Sequence, residues 1–234
     1  MRYIISDIHG CYDEYMNLIN KINLKEKDTL YILGDVVDRG PKPMDVFKDI
    51  MNRKNVVYLL GNHDFLFYEM IKKFDKDLKD KYKKNLYSGD IDLYFAWSES
   101  GGKITMNEFK KMSKEEKIAL ADYIENASLY EEIYHNNKHY ILTHAGLENF
   151  DKDKEIGEYE IFDYIEGRSD YSKRYLEDEN TFFISGHTPT MLINDDRKPH
   201  IYKQNGHIAI DCGCVYGGKL AAYCIETQEE FYSD

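Results

Sequence analysis

The sequence predicts an α/β fold in which two β-sheets pack together and helices cover them. Two observations lead to this prediction. Over residues 2–64, short apolar segments alternate with segments of helical periodicity, which is typical of βαβ units and a parallel sheet. After Leu129, short β-rich segments separated by turns follow one another, which indicates a second sheet packed on the first.

The first part of the chain alternates strands and helices. The predicted strands are "RYIISD", "TLYILGD" and "NVVYLLGNHD", in which an apolar run precedes a polar end. Apolar side chains recur at helical spacing over residues 13–22, and "PMDVFKDIMN" predicts a helix that begins near Pro43.

Residues 65–126 are predicted to be a helical insert within a single domain of residues 1–234. The insert begins with the charged helical segment "FLFYEMIKKFDKDLKDKYKKNLY". Ser113 is followed three residues later by Glu116, a capping box that predicts the start of an amphipathic helix. Strands then return as "LYEEIY", "HYILTH", "TFFISGH", "HIAIDCG" and "KLAAYCIET".

Composition narrows the classes of function. A net charge of −12 argues against a general affinity for nucleic acid or for anionic membranes. No apolar run approaches the roughly 20 residues of a membrane span. Because no signal peptide precedes the first strand and the four cysteines lack CxxC spacing, we expect a cytoplasmic protein with reduced thiols. The oligomeric state is not predictable from the sequence.

Polar side chains follow five of the predicted strands at the point where each strand ends. Each of these strand ends alone is weak evidence for a site, because an Asp-Gly pair usually marks a turn and a lone histidine usually packs in the core or lies on the surface. In an α/β sheet, however, the carboxyl ends of the strands form the ligand crevice. Convergence would gather a group of side chains that is costly to bury without a ligand. This group is Asp7, His9, Asp35, Asn62, His144 and His187.

These six candidate ligands combine oxygen and imidazole donors without thiolate. Such a set favours Mn, Fe or Zn over calcium or a structural Cys-zinc site. Six ligands exceed the need of one four-coordinate ion, and Asp35 could bridge two ions about 3.5–4 Å apart. A metal pair activates a shared water and clamps the oxygens of an in-line displacement. Arg39 adds a planar fork suited to phosphate, so we predict a phosphoester substrate.

The sequence resembles the PPP-type metallophosphatases of the calcineurin-like metallophosphoesterase superfamily. It is most similar to small bacterial and phage Ser/Thr protein phosphatases and to dinucleoside tetraphosphatases. The family motifs appear in order as "SDIHG", "GDVVDRG", "GNHD", "THAGL" and "GHTPT", and "WSESGG" and "IDCGCVYGGKL" also look like family segments. The resemblance extends from residue 3 to about residue 226. It implies a four-layer α/β/β/α sandwich of two mixed sheets flanked by helices.

The resemblance also implies a role for each motif residue. One ion would be held by Asp7 and His9 and the other by Asn62, His144 and His187, with Asp35 as the bridge. His63, oriented by Asp38, would be the general acid for the leaving oxygen. Arg39 and Asn62 would contact the substrate phosphate. Two divalent ions are thus expected, with Mn favoured and Fe or Zn as alternatives.

Three positions depart from the family pattern. Ser6 replaces a glycine, Asp64 replaces the usual glutamate, and Leu60 stands where many members carry an arginine. A second phosphate arginine should then come from "EGRSDYSKRY". We expect Arg168 in this role, with Arg174 as the alternative.

Two substrate classes follow from these motifs. The leading prediction is a phosphatase that acts on phosphoserine and phosphothreonine in proteins. The alternative is a bis(5'-nucleosyl)-tetraphosphatase or another nucleotide phosphohydrolase, which would use the same residues. A regulatory module without activity is disfavoured, because no metal or acid position is missing.

Overall fold

The computed structural model describes residues 1–83, 85 and 87–234. Lys84 and Leu86, which belong to the predicted insert, lie outside the described residues. The strands are β1 (Arg2–Ile5), β2 (Thr29–Ile32), β3 (Val56–Tyr58), β4 (Tyr130–His135), β5 (Lys138–Thr143), β6 (Thr181–Ser185), β7 (Tyr202–Gln204), β8 (His207–Ala209), β9 (Ala221–Cys224) and β10 (Glu230–Tyr232). The α-helices are α1 (Tyr12–Lys21), α2 (Pro43–Asn52), α3 (Asn62–Phe74), α4 (Lys79–Tyr82), α5 (Ser88–Trp97), α6 (Lys103–Phe109), α7 (Lys114–Glu125) and α8 (Ile161–Ile165).

The strands form two mixed five-stranded sheets, as predicted. The first has the order β10-β9-β1-β2-β3, in which β1, β2 and β3 are parallel. The second has the order β4-β5-β6-β8-β7, with β5, β6 and β8 parallel and an antiparallel strand at each edge. Leu33, Leu142 and Ile184 share one buried cluster, so the two sheets pack face to face. Hydrophobic burial between the sheets and under the helices holds the layers together.

One strand lies in a different sheet from the one predicted. The segment "KLAAYCIET" forms β9, which pairs antiparallel with β1 in the first sheet, with Tyr3 opposite Cys224. The edge strand β10, which the sequence pattern does not reveal, covers its other side. All four residues of β9 are buried, because Ala222 and Cys224 belong to one buried cluster and Ala221 and Tyr223 to the other.

The helices between residues 62 and 125 begin earlier than predicted, since α3 starts at Asn62, after a loop of three residues that follows β3. The capping box is confirmed: Ser113 Oγ accepts from Glu116 N at 3.2 Å, and Glu116 Oε2 accepts from Ser113 N at 2.8 Å. Phe67 and Phe109 belong to the same buried cluster as Ile5 of the first sheet. The division at residues 65–126 stays a prediction. Among the described residues, no helix combines the length and apolarity needed to cross a bilayer.

Candidate metal centre and active site

The strand ends meet around one cavity of about 520 Å³. It lies between the loops that follow β1, β2 and β6 and the start of α3. The predicted site residues that line it are Asp7, His9, Asp35, Arg39, Asn62, His63, Arg168 and His187. His144, which follows β5, is buried directly behind the cavity against Asn62. The fold thus brings all six predicted ligands together, and their roles as ligands stay predictions.

Two glycines allow the loops after β2 and β3 to touch. A Cβ on Gly34 would lie 2.4 Å from the backbone N of Gly61. A Cβ on Gly61 would lie 2.2 Å from the backbone N of Asp35. Because real side chains do not approach this closely, glycine at both positions is what lets Asp35 and Asn62 become neighbours.

Six of the predicted site residues have a left-handed backbone. The φ angles are 53° at Asp7, 45° at His9, 53° at Asp35, 70° at Asp38, 69° at Arg39 and 62° at His187. Such conformations are unfavourable for residues other than glycine and persist where the surroundings hold them. Their concentration around this cavity indicates that the backbone here is shaped for the position of the side chains.

Asp35 lies between two imidazoles. Its Oδ2 atom is 3.5 Å from Nε2 of His9, and its Oδ1 atom is 3.5 Å from Nε2 of His144. Oδ1 also accepts the backbone N–H of His63 at 2.9 Å. The two oxygens therefore face different ligand groups, which is the arrangement that a bridging carboxylate requires.

A second group of donors surrounds the side chain of Asn62. Its Oδ1 atom lies 3.1 Å from Nε2 of His144 and 3.1 Å from Nδ1 of His187. Donor atoms about 3 Å apart form the edge of an octahedron whose metal–ligand bonds are about 2.1 Å long. Asp7 completes the wall, since its carboxylate accepts the backbone N–H of His187 at 3.0 Å.

Backbone carbonyls orient two of the histidine rings. His9 Nδ1 donates to the carbonyl of Val37 at 2.7 Å, and His144 Nδ1 donates to the carbonyl of Leu33 at 2.6 Å. The other ring nitrogen, Nε2, then carries its lone pair toward Asp35. Metal-binding histidines commonly have such an outer hydrogen bond, which fixes both the tautomer and the ring orientation.

The charges of the group fit divalent cations. Burial raises the pKa of the Asp7 carboxyl to about 6 and also raises the pKa of Asp35. Burial lowers the pKa of His9 and His144, which favours the neutral form of both imidazoles. The Arg39 guanidinium supplies one positive charge beside these buried carboxylates, and bound cations would supply more. The donors form two clusters around the shared carboxylate: His9, Asp35 and His63, and Asp35, His144 and His187.

Both ring nitrogens of His63 are hydrogen-bonded. Its Nδ1 donates to Asp38 Oδ2 at 2.7 Å, and its Nε2 accepts from the Arg39 guanidinium at 2.6 Å. Burial by itself would lower the pKa of His63, but the carboxylates of Asp35 and Asp38 outweigh it, so the pKa lies above its usual range. Asp38 also accepts hydrogen bonds from Trp97 and Thr105, two residues that the sequence interpretation missed.

The two candidate arginines of the "EGRSDYSKRY" segment lie in different places. Arg168 lines the cavity. Arg174 lies on the surface elsewhere and donates to the carbonyl of Asp178 at 3.0 Å. Leu60 is buried and offers no polar atom.

Two further residues at the cavity come from the segment "IDCGCVYGGKL". Asp211 is buried, accepts the backbone N–H of Gly213 at 2.8 Å, and has its pKa raised well above the usual value by burial and by the nearby charge of Asp7. Tyr216 is 59% exposed, and its ring centroid lies 5.4 Å from the Arg39 guanidinium carbon. The resemblance of this segment to a family motif was the available signal, but Asp211 was given no role.

Sequence comparison identifies relatives along most of the chain. The sequence pattern described as calcineurin-like phosphoesterase matches residues 3–191. The asymmetrical bis(5'-nucleosyl)-tetraphosphatase PrpE of Halalkalibacterium halodurans is 30% identical over 94% of this chain and 87% of that protein. The symmetrical bis(5'-nucleosyl)-tetraphosphatase of Wigglesworthia glossinidia brevipalpis is 33% identical over 50% of this chain and 42% of its own length.

Solved structures share the fold. One is a putative diadenosine tetraphosphatase with a TM-score of 0.64 and 19% identity, over 99% of this chain and 91% of that chain. Another is a protein serine/threonine phosphatase from Saccharomyces cerevisiae with a TM-score of 0.56 and 13% identity, over 100% of this chain and 79% of that chain. At these identities the likeness concerns the architecture, namely the two mixed sheets flanked by helices.

Proposed function

Because the chain belongs to the calcineurin-like phosphoesterase family, we propose that it is a dinuclear metal-dependent hydrolase of bis(5'-nucleosyl) tetraphosphates. The observation that carries the choice of substrate is the similarity to an asymmetrical bis(5'-nucleosyl)-tetraphosphatase over 94% of the chain. The sequence analysis made phosphoproteins the leading prediction, although the motifs fit both substrate classes. The relatives favour the nucleotide alternative, which uses the same residues.

The residues proposed to hold the two ions are Asp7, His9, Asp35, Asn62, His144 and His187. When bound, divalent ions would supply an activated water and neutralise part of the phosphoryl charge. The oxygen and imidazole donors without thiolate suit Mn, Fe or Zn, and Mn is the metal proposed here. Asp35 would serve both sides of the centre, since its two oxygens face His9 and His144 at 3.5 Å each.

The other residues of the cavity would bind phosphate and deliver a proton. Arg39 and Arg168 both line the cavity and carry guanidinium forks that suit phosphate oxygens. Asn62 would add an amide contact. As the P–O bond breaks, His63 would donate a proton from Nε2 to the leaving oxygen, while its Nδ1 stays bound to Asp38 at 2.7 Å.

The rim of the cavity suits a nucleoside. Tyr216 is 59% exposed and Leu192 is 56% exposed, and both line the cavity beside the arginines. An exposed aromatic ring next to phosphate-binding groups can stack on a base. Such stacking contributes about 1–3 kcal/mol per base, irrespective of sequence. A phosphoserine side chain has no base to occupy this surface.

A side-by-side assay tests the choice of substrate. We expect the Mn-loaded protein to hydrolyse diadenosine tetraphosphate with a kcat/KM at least about tenfold above that for a phosphoserine peptide. A p-nitrophenyl phosphate assay reports whether the preparation is active. Activity on the aryl phosphate and the peptide, but not on the dinucleotide, would contradict the proposed substrate and favour a phosphoprotein phosphatase.

A matched pair of variants isolates the base contact. Tyr216→Ala should lower kcat/KM for diadenosine tetraphosphate by about tenfold and change that for p-nitrophenyl phosphate by less than about threefold. Tyr134 is 68% exposed and does not line the cavity, so Tyr134→Ala serves as the control. Equal losses on both substrates for Tyr216→Ala would contradict a base contact.

A further inference from the structure

Asp38 receives more than the hydrogen bond of His63. Its side chain is fully buried, and its Oδ2 atom accepts from His63 Nδ1 at 2.7 Å and from Trp97 Nε1 at 2.8 Å. Its Oδ1 atom accepts from Thr105 Oγ1 at 2.7 Å. Two of the three donors therefore come from helices α5 and α6, which lie 59 and 67 residues further along the chain.

The same helices also hold the backbone around Asp38. The Asp38 N–H donates to Thr105 Oγ1 at 2.9 Å, and the Arg39 N–H donates to the carbonyl of Gly101 at 3.3 Å. Gly101 belongs to the kinked segment Ser98–Gly102, which joins α5 to α6, and has a non-helical φ of 120°. Asp38 and Arg39 both have left-handed φ angles, so this anchoring acts on a segment that is conformationally unfavourable by itself.

Trp97 is held firmly enough to direct a hydrogen bond. Its indole is 1% exposed and stacks on Phe67, with ring centroids 6.1 Å apart. A Cβ on Gly102 would lie 2.1 Å from the indole, so glycine there leaves room for the ring. Thr105 is likewise fully buried. Neither donor can turn to water, and both are directed at one carboxylate.

We propose that Trp97 and Thr105 are positioning residues, which fix the Asp38 carboxylate so that it holds the His63 ring in the orientation needed for proton donation. A carboxylate with one partner can rotate about its Cβ–Cγ bond, whereas three donors on two oxygens define one orientation. The proposal rests on the proposed function, with His63 as the general acid. It assigns part of the catalytic geometry to a helical region that contributes no predicted metal ligand beyond Asn62.

The test uses substitutions that remove a donor and keep the shape. Trp97→Phe keeps an aromatic ring against Phe67 and loses the indole N–H. Thr105→Val keeps the volume and loses the hydroxyl, whereas Thr105→Ser keeps the hydroxyl. Phe109→Leu is the matched control, because Phe109 is fully buried in α6 and packs on Phe67 at 5.3 Å. It changes the packing of these helices without removing a donor to Asp38.

The leaving group separates positioning from packing. We expect Trp97→Phe and Thr105→Val to lower kcat for phenyl phosphate by about tenfold, with KM within about twofold. For p-nitrophenyl phosphate, whose leaving group needs less protonation, the loss should stay below about threefold. Thr105→Ser should restore the phenyl phosphate rate. Phe109→Leu should affect both substrates equally.

A double-mutant comparison identifies the residue through which the effect acts. In a His63→Asn background, Trp97→Phe should cause no further loss, because the ring that Asp38 orients is absent. Equal losses on both leaving groups, or a full additional loss in the His63→Asn background, would overturn the proposal. Should Trp97→Phe fail to fold, the Thr105→Val and Thr105→Ser pair decides the question.

A spectroscopic readout does not depend on turnover. The Nδ1–H proton of His63, hydrogen-bonded to a buried carboxylate, should give a low-field proton resonance. Trp97→Phe and Thr105→Val should shift or broaden that resonance, and Phe109→Leu should leave it in place. An unchanged resonance in both donor variants would contradict the proposal even if the protein hydrolysed none of the phosphoesters. Absence of hydrolysis on every substrate with the resonance shifts present would instead overturn the proposed function.

Discussion

The strand-end loops and the helices between residues 62 and 125 reach the same cavity by different means. The loops bring donors there through unfavourable backbone angles, with positive φ at Asp7, His9, Asp35 and His187. Trp97 and Thr105 sit in or next to regular helix and reach Asp38 only with their side chains. In the loops the backbone conformation itself places the donors, whereas in the helices a regular backbone holds the side chains of Trp97 and Thr105. Substitutions of the predicted ligands in the loops should therefore act on metal binding, whereas substitutions of Trp97 and Thr105 should act on the Asp38 carboxylate.

The largest effect should follow from the carboxylate that both ligand groups share. We expect Asp35→Asn to lose more bound metal than Asp7→Asn and to lower turnover by about 10⁴-fold or more, because metal ions contribute several kcal/mol to such reactions. Elemental analysis of both variants after identical loading gives the comparison. Equal metal content in the two would remove the claim that Asp35 bridges.

The next effect separates the proton donor from the ligands beside it. His63→Asn should keep both metals and lower turnover by about 10²–10⁴-fold, the usual contribution of a general acid. The loss should be smaller for an aryl phosphate than for an alkyl phosphate. Should the two substrates suffer equally, His63 would be a residue that positions the substrate and gives it no proton.

Loss of the phosphate contact should have an intermediate effect on kcat/KM, and only one of the two arginines should show it. Arg168→Ala should lower kcat/KM by about 10²-fold, which corresponds to about 2.7 kcal/mol, because Arg168 lines the cavity. Arg174→Ala, whose guanidinium is bound to the Asp178 carbonyl, should change kcat/KM less than about threefold. Metal content should be unaltered in both. A large loss of kcat/KM in Arg174→Ala would show that Arg174, and not Arg168, is the second phosphate arginine.

The smallest effect should come from the part of the helices that lies away from Asp38. Ser113→Ala removes the cap of α7 and should destabilise the protein by about 1 kcal/mol, or roughly 2–4 °C in Tm, with kcat within twofold. Ser113→Gly is the control and should cost only a few tenths of a kcal/mol. A large loss of turnover in Ser113→Ala at unchanged Tm would mean that the whole helical region, and not two side chains, adjusts the site.

Local sequence patterns were enough to predict the strands, the capped helix and the candidate ligands. Asp7, Asp35 and His144 could be located because each follows an apolar run that ends in a turn, and such ends converge in an α/β sheet. The partner of β9 could not be found in this way, because alternation reveals a strand but not the strand beside it. Its pairing with β1 depends on contacts across more than 200 residues of chain, as between Tyr3 and Cys224.

The sequence interpretation also missed hydrogen bonds between side chains that lie far apart in the sequence. Trp97 begins the family-like segment "WSESGG" but was given no role, Thr105 was not singled out, and nothing in their spacing points to Asp38. Asp211 follows a short apolar run like the predicted ligands, yet its burial beside Asp7 is visible only once the second sheet is assembled. Hydrogen bonds to a buried carboxylate depend on tertiary placement, which periodicity does not encode.

The contact between Asp7 and His187 has a consequence for how the protein matures on the ribosome. The two residues are 180 positions apart, and the carboxylate of one accepts the backbone N–H of the other. At a synthesis rate of about 5–20 residues per second, Asp7 is made roughly 9–36 s before His187. During that interval a metal ion could meet only part of the ligand set. Binding of both proposed ions would therefore have to wait until residue 187 has been made.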